Sequence, residues 1–423
     1  MHRLKQIVKR LVERYLCALV KVKLRRVHPT IVGITGSYGK TSTKDAVSMV
    51  LATKYRVLRS HKGLNTEIGL LLAFLEQPSG FDAPLAWLGI LNHAWVNAFW
   101  GPHYDYAVLE YGADKPGDIE HLVKILKPHI SIITHVACVH QDEDQFKSID
   151  EVFMEKKKLV TCLHASDFAI LNGADNRLAS LMEKLSAHTA WFNNVKGISA
   201  THLVATPTGF SAKIHLHGKT VPAEFYVPGT YHIDVMLAAL MCGVLCGVSL
   251  EEGVEALAHF KLPPGRMGVI EGKNGATLLD STYNASPETV KQALNLLREF
   301  PGERRIAVLG NMNELGEYTP AAHREVGDHI APWLNLLITV GNDAEEIVAQ
   351  ALKKGFPKAR MKSFCTAEEA ARFLYDYLEK DTVILLKGSQ NRVRLERAVK
   401  LLMAHPEMAD KLLCRQEEVW ENL

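Results

Sequence analysis

Cysteine, long apolar runs and net charge are all in short supply in this 423-residue chain. The cysteines are Cys17, Cys138, Cys162, Cys242, Cys246, Cys365 and Cys414. They are scattered, odd in number and include no CxxC pair, which argues against a disulfide framework or a cysteine zinc site and fits a reducing cytoplasm. Cys242 and Cys246 fall in the apolar stretch MLAALMCGVLCGV, where small buried helix residues are expected. No uninterrupted apolar run reaches the roughly 18–20 residues of a spanning helix. The N-terminus lacks the apolar core and cleavage site of a signal peptide, so no leader is expected. Net charge is +2, so bulk attraction to nucleic acid is not expected. Internal repeats and low-complexity tracts are missing too.

What is present is enough for two or three domains with real cores, given the length and a hydrophobic fraction of 47%. Residues 1–28 stand apart. Leu4, Ile7, Val8, Leu11, Val12, Tyr15 and Leu19 recur at helical spacing, and Arg3, Lys5, Lys9, Arg10, Arg14, Lys21, Lys23, Arg25 and Arg26 surround them, with Glu13 as the only acid. Such a basic amphipathic helix either lies on an anionic membrane surface or docks on its own protein with its basic face in water.

From Ile31 strands and helices alternate, which predicts a mainly parallel sheet covered on both faces. IVGITG, YRVLRS, YAVLEYGA, ISIITHVA and DFAILNGAD read as strands. TSTKDAVSMVLAT, EIGLLLAFLE, GDIEHLVKILK and SIDEVFMEKKKLVTCL read as helices. The Trp-rich segment 81–104 interrupts this rhythm; a buried helix and loop is one reading, a patch for membrane or a partner the other. Residues 198–228 alternate polar and apolar and predict a small antiparallel unit. KLPPGRMG reads as a hinge. A second α/β set follows, with strand-like GATLLD, RIAVLG, LLITVG and TVILLKG. The expected organisation is a helix over 1–30, an α/β P-loop domain over 31–262 and a Rossmann-like α/β domain over 263–423.

The strongest motif is Gly36-Ser37-Tyr38-Gly39-Lys40-Thr41-Ser42, after a strand and opening a helix. Backbone amides of such a loop point at phosphate oxygens, and the helix N-terminus adds partial positive charge. Lys40 would reach the β- and γ-phosphates of ATP and the Thr41 hydroxyl would ligate Mg²⁺. Ile34 stands where the strict Walker spacing has its first glycine. Glu110 and His140 follow strands, at the edge where ligands bind in open parallel sheets, and a carboxylate, a hydroxyl and an imidazole could share a magnesium ion. Lys156, Lys157 and Lys158 form a basic run that composition alone would leave as a solvated face.

TGSYGKTST, KGLNTEIGL, LEYGADKPGDI, PPGRMGVIEG, LLDSTYNASPETV, VLGNMNELGEYTPAAHREVG and LLKGSQ occur in one order. That order resembles the Mur ligase family over about residues 31–400, most of all the branch that adds D-alanyl-D-alanine to a UDP-linked muramoyl tripeptide. The resemblance implies a central ATPase domain, a closing C-terminal domain and ATP-dependent amide formation through an acyl phosphate. It implies that Gly36, Ser37, Tyr38, Gly39, Lys40, Thr41 and Ser42 hold phosphates and metal, with Glu110 and His140 as further ligands. It implies a carbamylated lysine, Lys156 before Lys157, beside a second Mg²⁺. Arg266, Asp280, Tyr283 and Asn284 would approach the nucleotide, and Asn65, Lys387 and Ser389 the cell-wall carboxylate or the amino acid or dipeptide amine.

The sequence departs from that pattern at Ser281, where the family has a second aspartate, at Tyr231-His232, where it has a histidine–asparagine pair, and at Asn311-Met312. The front departs further: only about 30 residues precede the P-loop domain, so the branch's UDP-binding domain has no counterpart there. A carboxylate on another polymer or on a lipid, and a non-catalytic nucleotide-binding role, are the competing expectations. The expected location is cytoplasmic, with residues 1–28 able to bring the chain to the inner membrane face.

Overall fold

The computed structural model describes residues 2–60, 64–80, 84–137, 145–181, 184–206, 208–390, 393–417 and 420. Helix α1 (His2–Val27) leads into β1 (Thr30–Thr35), α2 (Lys40–Ala52), β2 (Val57–Arg59), α3 (Glu67–Phe74), α4 (Pro84–Trp100), β3 (Tyr106–Glu110), α5 (Asp118–Ile125), β4 (Ile130–Ile133), α6 (Ile149–Lys156), β5 (Phe168–Asn172) and β6 (His188–Phe192). The six strands form one sheet in the order β2-β3-β1-β4-β5-β6, and every pairing is parallel. β1 lies between β3 and β4, so the chain leaves it in opposite directions on its two sides. The loops after β1, β3 and β4 therefore meet at one edge, the place where open α/β sheets bind ligands.

Successive side chains of a strand point to opposite faces, and β1 shows both. Val32 and Ile34 pack with Val47 and Val50 of α2 and with Met236 and Leu240 of the helix Ile233–Leu245. Ile31 packs the other way, with Leu109, Leu71 and Leu122. Leu16, Leu19 and Val20 belong to this second cluster, so α1 is part of the core rather than an appendage. Its Lys23 is fully buried and donates to the Phe74 carbonyl at 2.8 Å, to Glu76 at 2.8 Å and to Asn97 at 2.7 Å. That network ties α1 to the end of α3 and to α4.

Strands β7 (Ser199–Thr206), β8 (Gly209–Leu216) and β9 (Lys219–Phe225) make the expected antiparallel unit. The second large sheet takes β10 (Gly268–Glu271), β11 (Thr277–Ser281), β12 (Arg304–Gly310), β13 (Leu336–Val340), β14 (Met361–Phe364) and β15 (Thr382–Lys387), in the order β10-β11-β15-β12-β13-β14. Only β10 is antiparallel to its neighbour. Lys261–Met267, between the two large sheets, has no helix or strand.

The structure changes several local expectations. SIDEVFMEKKKLVTCL is not one helix: α6 stops at Lys156 and a short helix restarts at Lys158. Segment 81–104 is helical from Pro84, but one face of α4 is in solvent. Strands β6, β10 and β14 have no counterpart in the sequence reading. Each is five residues or shorter and lies at a sheet edge, where half-solvated strands lose the apolar signature.

Replacing Lys23 with alanine removes three hydrogen bonds and leaves Glu76 without its cation. We expect a loss of about 3 kcal/mol, read as a lower denaturant midpoint for the transition that melts α1 and α4.

Candidate active site

The turn between β1 and α2 is shaped by contacts that only glycine allows. A Cβ on Gly36 would lie 1.9 Å from Thr134 Oγ1. Gly39, at φ +81°, takes the left-handed conformation that starts α2. The loop is sewn to the end of β4. The Ser37 amide donates to the His135 carbonyl at 2.8 Å, the Ser37 hydroxyl donates to the Ala137 carbonyl at 3.0 Å, and Thr134 donates to the Tyr38 carbonyl at 2.6 Å. The Tyr38 ring stacks on His135 at 4.3 Å, and His135 pairs with Asp234 at 2.8 Å. Lys40 folds back over the loop and donates to the Gly36 carbonyl at 2.8 Å.

Glu110, buried at the end of β3, accepts from the Thr41 hydroxyl at 3.0 Å and from Asn65 at 3.2 Å. Burial alone would raise its pKa, but Lys40, Lys44 and Arg266 outweigh that and hold it below the usual carboxylate range. Lys40 is pushed down by burial, against the pull of Glu110. Lys156 is buried at the end of α6, and burial, with Lys40 adding like-charge repulsion, pushes its amine down to about 7 against the opposing carboxylates of Asp114, Glu155 and Glu110. Lys157 is half-exposed, with its ammonium over the Phe153 ring. His140 lies outside the described residues.

The second half of the site comes from the connecting segment and the sheet beyond it. Arg266 donates to Thr41 Oγ1 at 2.9 Å, and its guanidinium lies 4.2 Å from the centre of the Tyr283 ring. Arg415 stacks on the same ring at 5.1 Å and donates to the Thr282 carbonyl. Lys387, at the end of β15, donates to Ser281 at 3.1 Å and to the Asn284 carbonyl at 3.0 Å. Its amine is pushed down to about 7 by burial and by Arg266, against Asp280. A cleft of about 1010 Å³ joins the two halves; Ser37 through Ser42, Asn65, Glu110, Arg266, Tyr283, Asn284 and Lys387 line it.

Two expected contacts do not reach the cleft. Asp280 is buried and bonded to the Thr282 amide at 3.1 Å and hydroxyl at 2.6 Å, and it is not a lining residue. It alternates with Ser281 along β11, so when Ser281 faces Lys387 the carboxylate points to the other face. Burial pushes it up to about 6. Ser389 sits behind the wall, donating to the Ala285 carbonyl and accepting from the Asn313 amide. Conversely, His135, Asp234 and Arg415 line the cleft without having been singled out. His135 could have been found from its place at the end of a parallel strand; Arg415 carries no local signal of a role in the cleft, since the residues it meets there, Thr282 and Tyr283, are more than a hundred residues away.

The magnesium expected here can be tested against the donors present. Thr41 and Glu110 offer hard oxygens side by side at the phosphate loop, which fits. The bare amine of Lys156 does not fit, but its carbamate, a carboxylate in all but name, does.

A phosphate loop on one sheet, closed by an arginine of the connecting segment and a lysine of a second sheet, defines a nucleotide-using enzyme that works in a cleft between two α/β units. The Mur ligase middle domain model matches residues 34–243, and the model for the Mur ligase, glutamate ligase domain matches residues 265–390. Together they span more than three quarters of the chain, which belongs to the Mur ligase family of ATP-dependent, ADP-forming carboxylate–amine ligases. Among its relatives is the UDP-N-acetylmuramoyl-tripeptide–D-alanyl-D-alanine ligase of Bacillus subtilis strain 168, 28% identical over 393 residues, which cover 92% of this chain and 79% of the relative. The enzyme of that name from Escherichia coli K12 is 27% identical, over 76% of this chain and 67% of its own. Of solved structures, MurF ligase from Thermotoga maritima in complex with ADP superposes with a TM-score of 0.77 at 24% identity, covering 94% of this chain and 84% of that one. MurF from Acinetobacter baumannii gives 0.77 at 23%, covering 91% and 79%.

Gly36→Ala drives a methyl group into Thr134. We expect a folded protein that has lost nucleotide binding, checked by circular dichroism alongside titration with a fluorescent ATP analogue.

Proposed function

We propose that this chain uses ATP to activate the carboxylate of a peptidoglycan precursor and joins it to D-alanyl-D-alanine or a closely related amine, in the cytoplasm. One observation carries the reading: Arg266 from one unit, Thr41 of the phosphate loop and Glu110 of the neighbouring strand form a single hydrogen-bonded chain, at 2.9 and 3.0 Å. It supports phosphate binding and closure of the cleft as one event. The named activities of the relatives support the substrate class.

In the reaction the substrate carboxylate attacks the γ-phosphorus of ATP and ADP leaves. The amine then attacks the acyl carbon, phosphate leaves and an amide remains. The difficulty of the first step is that two anions must meet. Loop amides and Lys40 take up charge on the transferred phosphoryl group, and Arg266 adds a second cation from the opposite wall. Glu110 and Thr41 would hold Mg²⁺, which supplies charge neutralisation when bound, and carbamylated Lys156 would offer a carboxylate to a second Mg²⁺. Burial of Lys156, against half-exposure of Lys157, favours Lys156 for that role. Asn65 would face the carboxylate substrate, and Lys387 the incoming amine, with Ser389 supporting the wall beneath it. Tyr283 and Asn284 would border the nucleotide together with Arg266. His140 keeps its expected ligand role by position in the sequence. Contact of residues 1–28 with a membrane surface completes the reading.

The test is ADP formation across muropeptide precursors and dipeptides, with mass spectrometry of the product. ADP release that needs both carboxylate and amine is expected; release independent of either would refute the ligase reading. In Lys40→Ala we expect turnover to fall by about two to three orders of magnitude with the circular dichroism spectrum unchanged.

Carbon dioxide adds only to a neutral amine, and Lys156 is neutral above about 7. Reactivation of CO₂-stripped enzyme by bicarbonate should therefore rise as pH increases through 7 and vanish well below it. Lys156→Ala should be inactive at every pH and partly rescued by short carboxylates; full activity without rescue would remove the assignment.

A further inference from the structure

Helix α4, PLAWLGILNHAWVNAFW, contains no Asp, Glu, Lys or Arg. Such a helix is ordinarily buried on all sides, yet here only one side is covered. Ile90, Ala94 and Ala98 face the core, whereas Leu88, Trp95, Val96, Phe99 and Trp100 lie in solvent, Leu88 and Trp100 at 67% exposure. Their spacing puts them on one stripe. The rings of Trp95, Phe99 and Trp100 pack on one another, with centroids 5.1 to 5.6 Å apart. Beside Trp100 is a hollow of about 320 Å³ bounded by Val96, His93 and Gln77. The adjacent helix α1 exposes Ile7, Val8 and Leu11 as well.

Acids near these helices are partly buried and paired, Glu13 with His121 and Glu76 with Lys23, and the exposed charges of α1 are basic. Lys9, Arg10, Arg14, Lys21 and Arg25 of α1 are exposed. Arg26 sets its guanidinium against the last turn of α4, donating to the Ala98 and Asn97 carbonyls at 3.1 and 3.3 Å. Tryptophan rings flanked by cations are the composition of a surface that sits at the level of lipid headgroups, and anionic lipids attract clustered Lys and Arg. No helix among the described residues is long and apolar enough to cross a membrane, so the contact is with the surface.

We propose that the paired α1 and α4 helices dock the enzyme on an anionic lipid bilayer, with the Trp95, Phe99 and Trp100 cluster inserted among the headgroups and the α1 cations on the lipid phosphates. This deepens the membrane contact in the function proposed above and moves its apolar anchor from α1 to α4. The active-site cleft reaches the same two helices at Lys9 and Trp87, so a docked molecule opens that end of the cleft near the lipid, where a membrane-borne carboxylate could enter.

Deleting residues 1–28 would uncover the core that Leu16, Leu19 and Lys23 fill, so point variants of the full chain are the proper test. The full chain should float with vesicles rich in phosphatidylglycerol, much less with phosphatidylcholine alone, and its tryptophan emission should shift to the blue. The double variant Trp95→Ser, Trp100→Ser should lower the bound fraction about tenfold. Arg10→Glu with Arg14→Glu should abolish the preference for anionic lipid. Both should keep the native circular dichroism spectrum and ADP formation. Equal recovery with and without vesicles, or binding that neither variant weakens, overturns the proposal. So does light scattering that finds a dimer which the tryptophan variant converts to monomer, since a second copy would then cover the face. Vesicle binding without any ADP formation would sink the ligase reading and leave this one standing.

Discussion

The hydroxyl of Thr41 is where the two halves of the molecule meet. It donates to Glu110 and accepts from Arg266, so one oxygen joins the phosphate loop, the neighbouring strand and the segment that leads into the second sheet. The arrangement depends on charge balance. Lys40, Lys44 and Arg266 converge on one buried carboxylate, and the field they create is what keeps Glu110 ionised in spite of its burial. Burial first, then Lys40 beside Lys156 and Arg266 beside Lys387, push both amines down to about 7. A site rich in cations, two of them poised to be neutral, suits the task of receiving a polyphosphate and a carboxylate together.

Sheet topology is what concentrates these groups. Because β1 lies between β3 and β4, the phosphate loop, Glu110 and the His135 segment reach the same edge without any long loop. The second sheet repeats the device: β11 and β15 are neighbours, so Ser281 and Lys387 end side by side. Each half is incomplete. The first holds the glycine-rich loop and Glu110 with no second wall, and the second holds cations and an aromatic ring with no loop to close on.

The parts of this site that were legible in the sequence are those whose chemistry is written locally. Glycines at 36 and 39, a lysine and a threonine opening a helix, and a glutamate ending an apolar run can all be read without knowing the fold. The ordered motifs extended that reading to Arg266, Tyr283 and Lys387. What escaped was set by geometry. Asp280 differs from Ser281 by one step along a strand, enough to turn it away from the cleft. Arg415 reaches Tyr283 across the domain. Tyr231 and His232, the pair at which the sequence departs from the family's histidine–asparagine and so puts the adenine contact of that asparagine in doubt, line the cleft at the start of the helix Ile233–Leu245. For the N-terminal helix the sequence leaves two alternatives open. The buried Lys23 shows that it docks on its own protein, and the outward residues leave room for a surface role as well.

Arg266 belongs to the connector itself, one residue past a left-handed glycine at φ +73° and one before Met267 at φ +70°. Any change in the backbone of this segment therefore acts directly on the guanidinium that holds Thr41. The connector between the two sheets and the contact with the phosphate loop are the same stretch of chain. Engineering that stiffens or lengthens it would retune nucleotide grip directly, with no residue of the phosphate loop altered.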